Sequence, residues 1–187
     1  MPKQYIITLT ASNRVGILAA VATALAELGG ELQEVKQTLL DKFFTMIVVA
    51  EFPEHRDADV IVDHLRGMCE RFGLDITLKD PSNEILVSDS EEDAVRYLLT
   101  LTGRDEPGLL SRIATRIARD GIDIAEMHAK RVDAGRSFEV VMTVVVPLTA
   151  DVGQLINDLE ETGRNVDLSA WIEALPISDE FIGTSTR

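Results

Sequence analysis

Two stretches of this 187-residue chain place a polar loop, a glycine and an apolar run in the same order. Asp105-Glu106-Pro107-Gly108-Leu109-Leu110 follows the strand-like segment "YLLTL", and Asn13-Arg14-Val15-Gly16-Ile17-Leu18 follows "YIITL". Each loop leads into a helix-like segment. It should therefore present the free N–H groups of a first helical turn at the positive end of a helix dipole. That combination suits a small anion such as a carboxylate. Gly16 and Gly108 remove side-chain bulk and let a ligand approach the backbone. Asn13 and Asp105 are placed to cap the two helices, and Pro107 sets the backbone at the helix entry. An Asp or Asn oxygen also accepts from an ammonium group, so the loop chemistry fits a zwitterion. The same residues equally suit a strand-to-helix turn that holds nothing.

Other chemistries find less support. His55, His64 and His128 are read on a loop, a helix and a strand, and no H-x-x-x-H or C-x-x-C pair exists, so no metal site or cofactor is expected. Cys69 falls on an apolar helix stripe and reads as a packing thiol, and His64 lies at the boundary of that stripe. There is no G-x-S-x-G elbow and no phosphate-cradling G-x-x-x-x-G-K-[ST] loop. The acidic run "SDSEED" at 88–93 reads as solvated linker, and Trp171 as a strand residue of core or interface. The chain is expected to be no enzyme.

The elements that position these loops occur twice. Sliding the sequence against itself by 92 positions aligns Tyr5–Asp41 with Tyr97–Asp133, with Thr8/Thr100, Gly16/Gly108, Ala22/Ala114, Gly29/Gly121 and Glu34/Glu126 among the identities. A period this long exceeds the roughly 20–50 residues of solenoid repeats and indicates two copies of one small domain. In the first copy "QYIITLT" reads as a strand, and Ile17, Val21, Leu25 and Leu28 recur at helical spacing before Gly29-Gly30. "ELQEVKQTLL" alternates partially, as a strand with one solvated face would, and the nearly continuous "FFTMIVVAEF" reads as a central strand after a short turn. Ile61, Leu65, Met68, Cys69 and Phe72 form a second helical stripe ending at Gly73, and "LDITLKD" closes the copy. The second copy repeats the order. Each copy thus reads βαββαβ, the order of the ferredoxin-like sandwich, in which two helices cover one face of a four-stranded antiparallel sheet. The expected class is α+β, with domains at 1–80 and 95–176, a linker at 81–94 that carries a short strand "EILVS", and a mobile tail at 177–187.

Acids outnumber bases 32 to 18, giving a net charge of −14, and the longest basic cluster is "HAKR" at 128–131. Nucleic acid and anionic membranes, which draw on clustered Lys and Arg, are therefore not expected as direct partners. No apolar run reaches the roughly 18 residues of a membrane-spanning helix, and the N-terminal segment lacks a secretory pattern, so cytoplasm is the expected location.

"RDEPGLLSRIATRIARDGIDIAEM" resembles the opening of an ACT domain, whose D-x-x-G motif lies between the first strand and first helix; Asp105, Gly108 and Leu109 match it. "SNRVGILAAVATALAELGGEL" is similar but carries Asn13 at the Asp position, with Arg14-Val15 replacing Glu106-Pro107. The tandem layout resembles the glycine cleavage system transcriptional repressor group. That resemblance implies binding of a small amino acid such as glycine or serine at the two loops, and action on transcription through a partner transcription factor. Sheet edges are covered either by pairing of the two sheets within one chain or by pairing between chains as a homodimer; the sequence does not choose between these, and a homo-oligomer is the expectation. Two rival expectations stand beside the amino-acid reading. One is a protein-interaction module whose ligand sites have been lost; the other is a regulatory subunit of an amino-acid biosynthetic enzyme.

Overall fold

A computed structural model describes residues 1–83 and 94–176. The chain divides into two units, Met1–Val87 and Ser88–Arg187, each with its own apolar core. The first contains β1 (Lys3–Ser12), α1 (Ile17–Glu27), β2 (Glu31–Leu40), β3 (Phe43–Phe52), α2 (Ala58–Met68) and β4 (Asp75–Lys79). The second contains β5 (Ala94–Arg104), α3 (Leu109–Arg119), β6 (Asp123–Val132), β7 (Ser137–Pro147), α4 (Val152–Thr162) and β8 (Ser169–Ala174). Both are βαββαβ units. Their antiparallel sheets have the orders β2-β3-β1-β4 and β6-β7-β5-β8. The expected strand "EILVS", the acidic run and the tail lie outside the described residues. At the near end of the expected linker, Pro81–Asn83 is a short 3-10 turn.

Alternation explains the sheets. In β3 the side chains of Phe44, Met46, Val48, Ala50 and Phe52 are buried, and in β7 those of Phe138, Val140, Met142, Val144 and Val146. These rows face α1 and α2, or α3 and α4, whose own stripes of Ile17, Val21 and Leu25, or Ile113 and Ile117, complete the cores. β3 is central, as its sequence suggests, but only alternate residues are covered.

Two expectations need correction. Met68 is 41% exposed and leaves the helical stripe, because α2 ends there. A 3-10 turn at Glu70–Phe72 then carries Phe72 back into the core before Gly73. β2 has no buried residue at all, rather than one solvated face, because it is an edge strand that the two helices do not cover.

In the second unit one ionic network ties the helices together. Arg116 on α3 contacts Asp120 at 2.7 Å and, across to α4, Asp158 at 2.6 Å, while Gln154 Nε2 donates to Asp158 Oδ1 at 2.5 Å. The bond from Arg116, followed by that from Gln154, holds the Asp158 carboxyl below the usual carboxylate range. A folded pKa below the unfolded one stabilises the fold above the unfolded value, about 3.9, and that stability is lost as pH falls through the folded value. Asp158→Asn should therefore lower the melting temperature at neutral pH, with the deficit shrinking as the pH drops below about 4. Thermal melts between neutral and strongly acidic pH check this; a deficit that stays constant with pH contradicts it.

Candidate functional site

All six residues of the 105–110 loop line a pocket of about 310 Å³ in the second unit. Ile113 of α3 and Phe138 and Val140 of β7 form its floor, and Ala129–Arg131 of the edge strand β6 form the opposite wall. Register decides which β6 side chains face it. Arg131 and Ala129 stand opposite the buried Phe138 and Val140, so they lie on the helix side of the sheet. Lys130 stands opposite Glu139 on the other face and pairs with it at 3.3 Å, so it lines the pocket through its backbone.

The loop is held from both ends. The Asp105 N–H donates to the Arg136 carbonyl at 2.9 Å, anchoring the loop to the β6–β7 turn. The Glu106 carboxylate accepts from Arg112 Nη2 at 3.1 Å and from Asn165 Nδ2. Asp105 does not cap α3. The N-cap is Gly108, in the left-handed region at φ 82°, and no side chain caps the helix. That backbone conformation is open to glycine and costly for other residues. The Asp105 carboxylate instead pairs with Arg131 Nε at 2.8 Å; the Arg131 side chain is 73% exposed and that of Asp105 is 26% exposed. Nothing lies within 4 Å of where a Gly108 Cβ would stand, so the helix mouth is open. The pocket thus combines an uncapped helix start, the Asp105–Arg131 ion pair and the Glu106 carboxylate above an apolar floor.

The first unit uses the same backbone differently. Asn13 donates its N–H to the Lys42 carbonyl at 2.8 Å and caps nothing, since Gly16, at φ 98°, is the N-cap of α1. Arg14 Nη1 donates to the Arg71 carbonyl at 2.8 Å, and the Arg71 guanidinium lies 4.5 Å from the centre of the Phe72 ring. A Cβ on Gly16 would meet Phe72 at 3.6 Å and Arg71 at 3.8 Å, so side chains of the unit's own 3-10 turn stand against this mouth. Of the other predicted residues, Ile17 is buried, whereas Val15 and Leu18 are exposed. On the rungs where the second unit has Arg131 opposite Phe138 and Ala129 opposite Val140, the first has Leu39 opposite Phe44 and Gln37 opposite Met46. Both charges are missing, and the small wall and floor residues are replaced by longer ones.

Reasoning from the loops alone misses Arg131, Ala129, Ile113, Phe138, Val140 and Asn165. A signal for the pair lies in the repeat itself: the offset that aligns Asp105 with Asn13 also aligns Arg131 with Leu39, so both partners change together.

Elsewhere the side chains support little chemistry. Cys69 is buried, and burial pushes its thiol pKa up, opposed in part by the Arg71 charge, so it is a poor nucleophile. His64 Nε2 lies 2.9 Å from Glu27 Oε2, bridging α2 to α1. Trp171 is half-exposed on β8. Among the described residues no cluster of three or more His, Cys, Asp or Glu could hold a metal ion. No helix among them is long and apolar enough to cross a membrane.

Family comparison agrees with this architecture: sequence profiles of the ACT domain match residues 3–79 and 96–164. The chain is a tandem ACT-domain protein. It is 39% identical over 74 residues to a UPF0237 protein of Streptococcus mutans, covering 40% of this chain and 80% of that one. A Corynebacterium glutamicum UPF0237 protein is 37% identical over 75 residues, 40% of this chain and 84% of the relative. Among the solved structures that span both ACT units are two with a clear overall likeness. An unknown protein from Galdieria sulphuraria has a TM-score of 0.75 at 20% identity, covering 94% of this chain and 99% of the other. A protein provisionally named a glycine cleavage system transcriptional repressor has a TM-score of 0.65 at 15% identity, with 94% and 98% covered. At these identities the structures establish fold.

The Asp105–Arg131 pair bridges exposed loop and edge strand, where ion pairs contribute at most about 1 kcal/mol. Asp105→Ala and Arg131→Ala should each change the unfolding free energy by no more than that. Urea denaturation of the full chain checks it; a loss above about 2 kcal/mol would make the pair a structural clamp.

Proposed function

We propose that this tandem ACT-domain protein is a non-enzymatic, amino-acid-responsive regulator whose ligand is held by the second unit, at Asp105, Glu106, Pro107, Gly108, Leu109 and Leu110 together with Arg131. The observation that carries this reading is the Asp105–Arg131 pair, 2.8 Å apart at the mouth of a pocket beside an uncapped helix start. Its two charges are opposite in sign to the ends of an α-amino acid. Asp105 would accept from the ligand ammonium group, while Arg131 and the amides of the first turn of α3 would take the carboxylate. Because Arg131 is exposed, opening the pair to admit a ligand costs little. The first unit, with Asn13 and Leu39 in place of the pair and its mouth against Arg71 and Phe72, serves as a scaffold or partner-binding module. That assignment moves Asn13, Arg14, Val15, Gly16, Ile17 and Leu18 out of the ligand site.

In this reading the output passes through protein partners. The net charge of −14 opposes direct nucleic-acid binding, and Arg104, Arg112, Arg116, Lys130, Arg131 and Arg164 are each paired with carboxylates. The fold neighbour provisionally named a glycine cleavage system transcriptional repressor supports an output on transcription over an enzyme subunit. The partner transcription factor comes from the resemblance of the tandem layout, and the expected location stays the cytoplasm. The edge strand β2 exposes Leu32, Val35 and Leu39, which favours self-association.

Isothermal titration of the full chain with single amino acids should give one binding event per chain. Asp105→Ala should weaken that event at least about tenfold, the loss of one charge-assisted contact, and Asn13→Ala should leave it unchanged. Absence of heat or thermal shift with every amino acid would instead support the ligand-free interaction module.

A further inference from the structure

The charged rim of the second-unit pocket matches the backbone of an amino acid; the floor bears on its side chain. Resting on the reading above, we infer that the site selects aliphatic side chains of valine, leucine or isoleucine size and disfavours glycine and serine.

The floor and inner wall are Ile113, Phe138, Val140, Leu109 and the methyl group of Ala129. None offers a side-chain hydrogen bond. Among the described residues, no polar or charged residue is buried, and no buried side-chain nitrogen or oxygen lacks a partner. A serine hydroxyl directed onto that floor would give up water and meet no side-chain acceptor or donor there. A charged side chain would lose more. At the rim, Glu106 is already held by Arg112 and Asn165, and the Lys130 ammonium by Glu139 on the far face. That leaves Asp105 and Arg131, which pair with each other at the mouth, to part and engage a ligand's charged ends. Glycine would satisfy those two groups and place nothing apolar in the pocket, whereas an aliphatic side chain removes its own surface, and that of the exposed Ala129 and Leu110, from water. The pocket, at about 310 Å³, lies at the lower end of the range for small-ligand sites, which suits a compact branched side chain.

The first unit provides the internal control. On the same rungs of the same fold it carries Gln37 where the second has Ala129, and Met46 where the second has Val140. The space above the floor is therefore made by two short side chains, and the fold tolerates longer ones at both places.

The test is isothermal titration of the full chain with glycine, serine, valine, leucine, isoleucine, glutamate and lysine, repeated on Ala129→Gln. Leucine, isoleucine or valine should bind at least about tenfold tighter than glycine and serine, the difference expected from burying two or more methylene-sized groups. Ala129→Gln should abolish that preference while the melting temperature stays close to the parent's. If Ala129→Gln does not fold, Val140→Met replaces it, with the same expectation. Glycine or serine binding as tightly as leucine overturns the inference and leaves the amino-acid reading standing. A preference for leucine that survives in the folded variant overturns its placement in this pocket. No binding by any of the seven overturns the underlying reading and this inference with it.

Discussion

Both units enter their first helix through a glycine in the left-handed backbone region, Gly16 at φ 98° and Gly108 at φ 82°. A side chain there would be strained, so the turn belongs to glycine. The helix then begins abruptly, with the loop side chains directed elsewhere and no side-chain cap on the first turn. Free helical amides, and polar side chains not used as caps, are thereby left beside the edge strand, β2 or β6, that runs past the helix start. The neighbours of this one backbone constraint decide what each mouth becomes.

In the second unit the freed Asp105 carboxylate reaches Arg131 on β6, and the short side chains of Ala129 and Val140 leave room beneath them. In the first, Arg14 turns back onto the carbonyl of Arg71, whose guanidinium lies against Phe72, and Phe72 approaches Gly16. The anchoring of the loops is otherwise alike: the Asn13 and Asp105 amides each donate to a carbonyl at the start of the following hairpin's second strand, Lys42 or Arg136. A duplicated unit has thus kept its backbone and divided its surfaces. One copy carries a charged, hollow mouth, and the other a mouth backed by its own arginine and phenylalanine.

Much of this was legible from residue order. The repeat, the βαββαβ order, the central position of β3 and the glycine-bearing loops all rest on local periodicity and turn chemistry, which short windows encode. The caps did not follow. Asn13 and Asp105 are good capping types, but the left-handed glycine three residues later moves the helix start beyond their reach. Met68 left its stripe because the helix ends before the 3-10 turn that buries Phe72. The Asp105–Arg131 pair joins residues 26 positions apart on different elements, and the approach of Phe72 to Gly16 joins residues 56 positions apart. Such contacts arise from tertiary approach, which no window of the chain records. The exception is the matched change from Asp105 and Arg131 to Asn13 and Leu39, visible once the two copies are superposed by register.

The central claim is that the second helix mouth, and not the first, receives an amino acid. Backbone amide shifts of the ¹⁵N-labelled full chain, followed during titration with leucine, test it most directly. The account predicts saturable shifts at Gly108–Ser111 and at Ala129–Arg131, with Gly16–Ala19 unmoved. Shifts centred on Gly16–Ala19, or a spectrum unchanged by leucine and by every other amino acid, would contradict it.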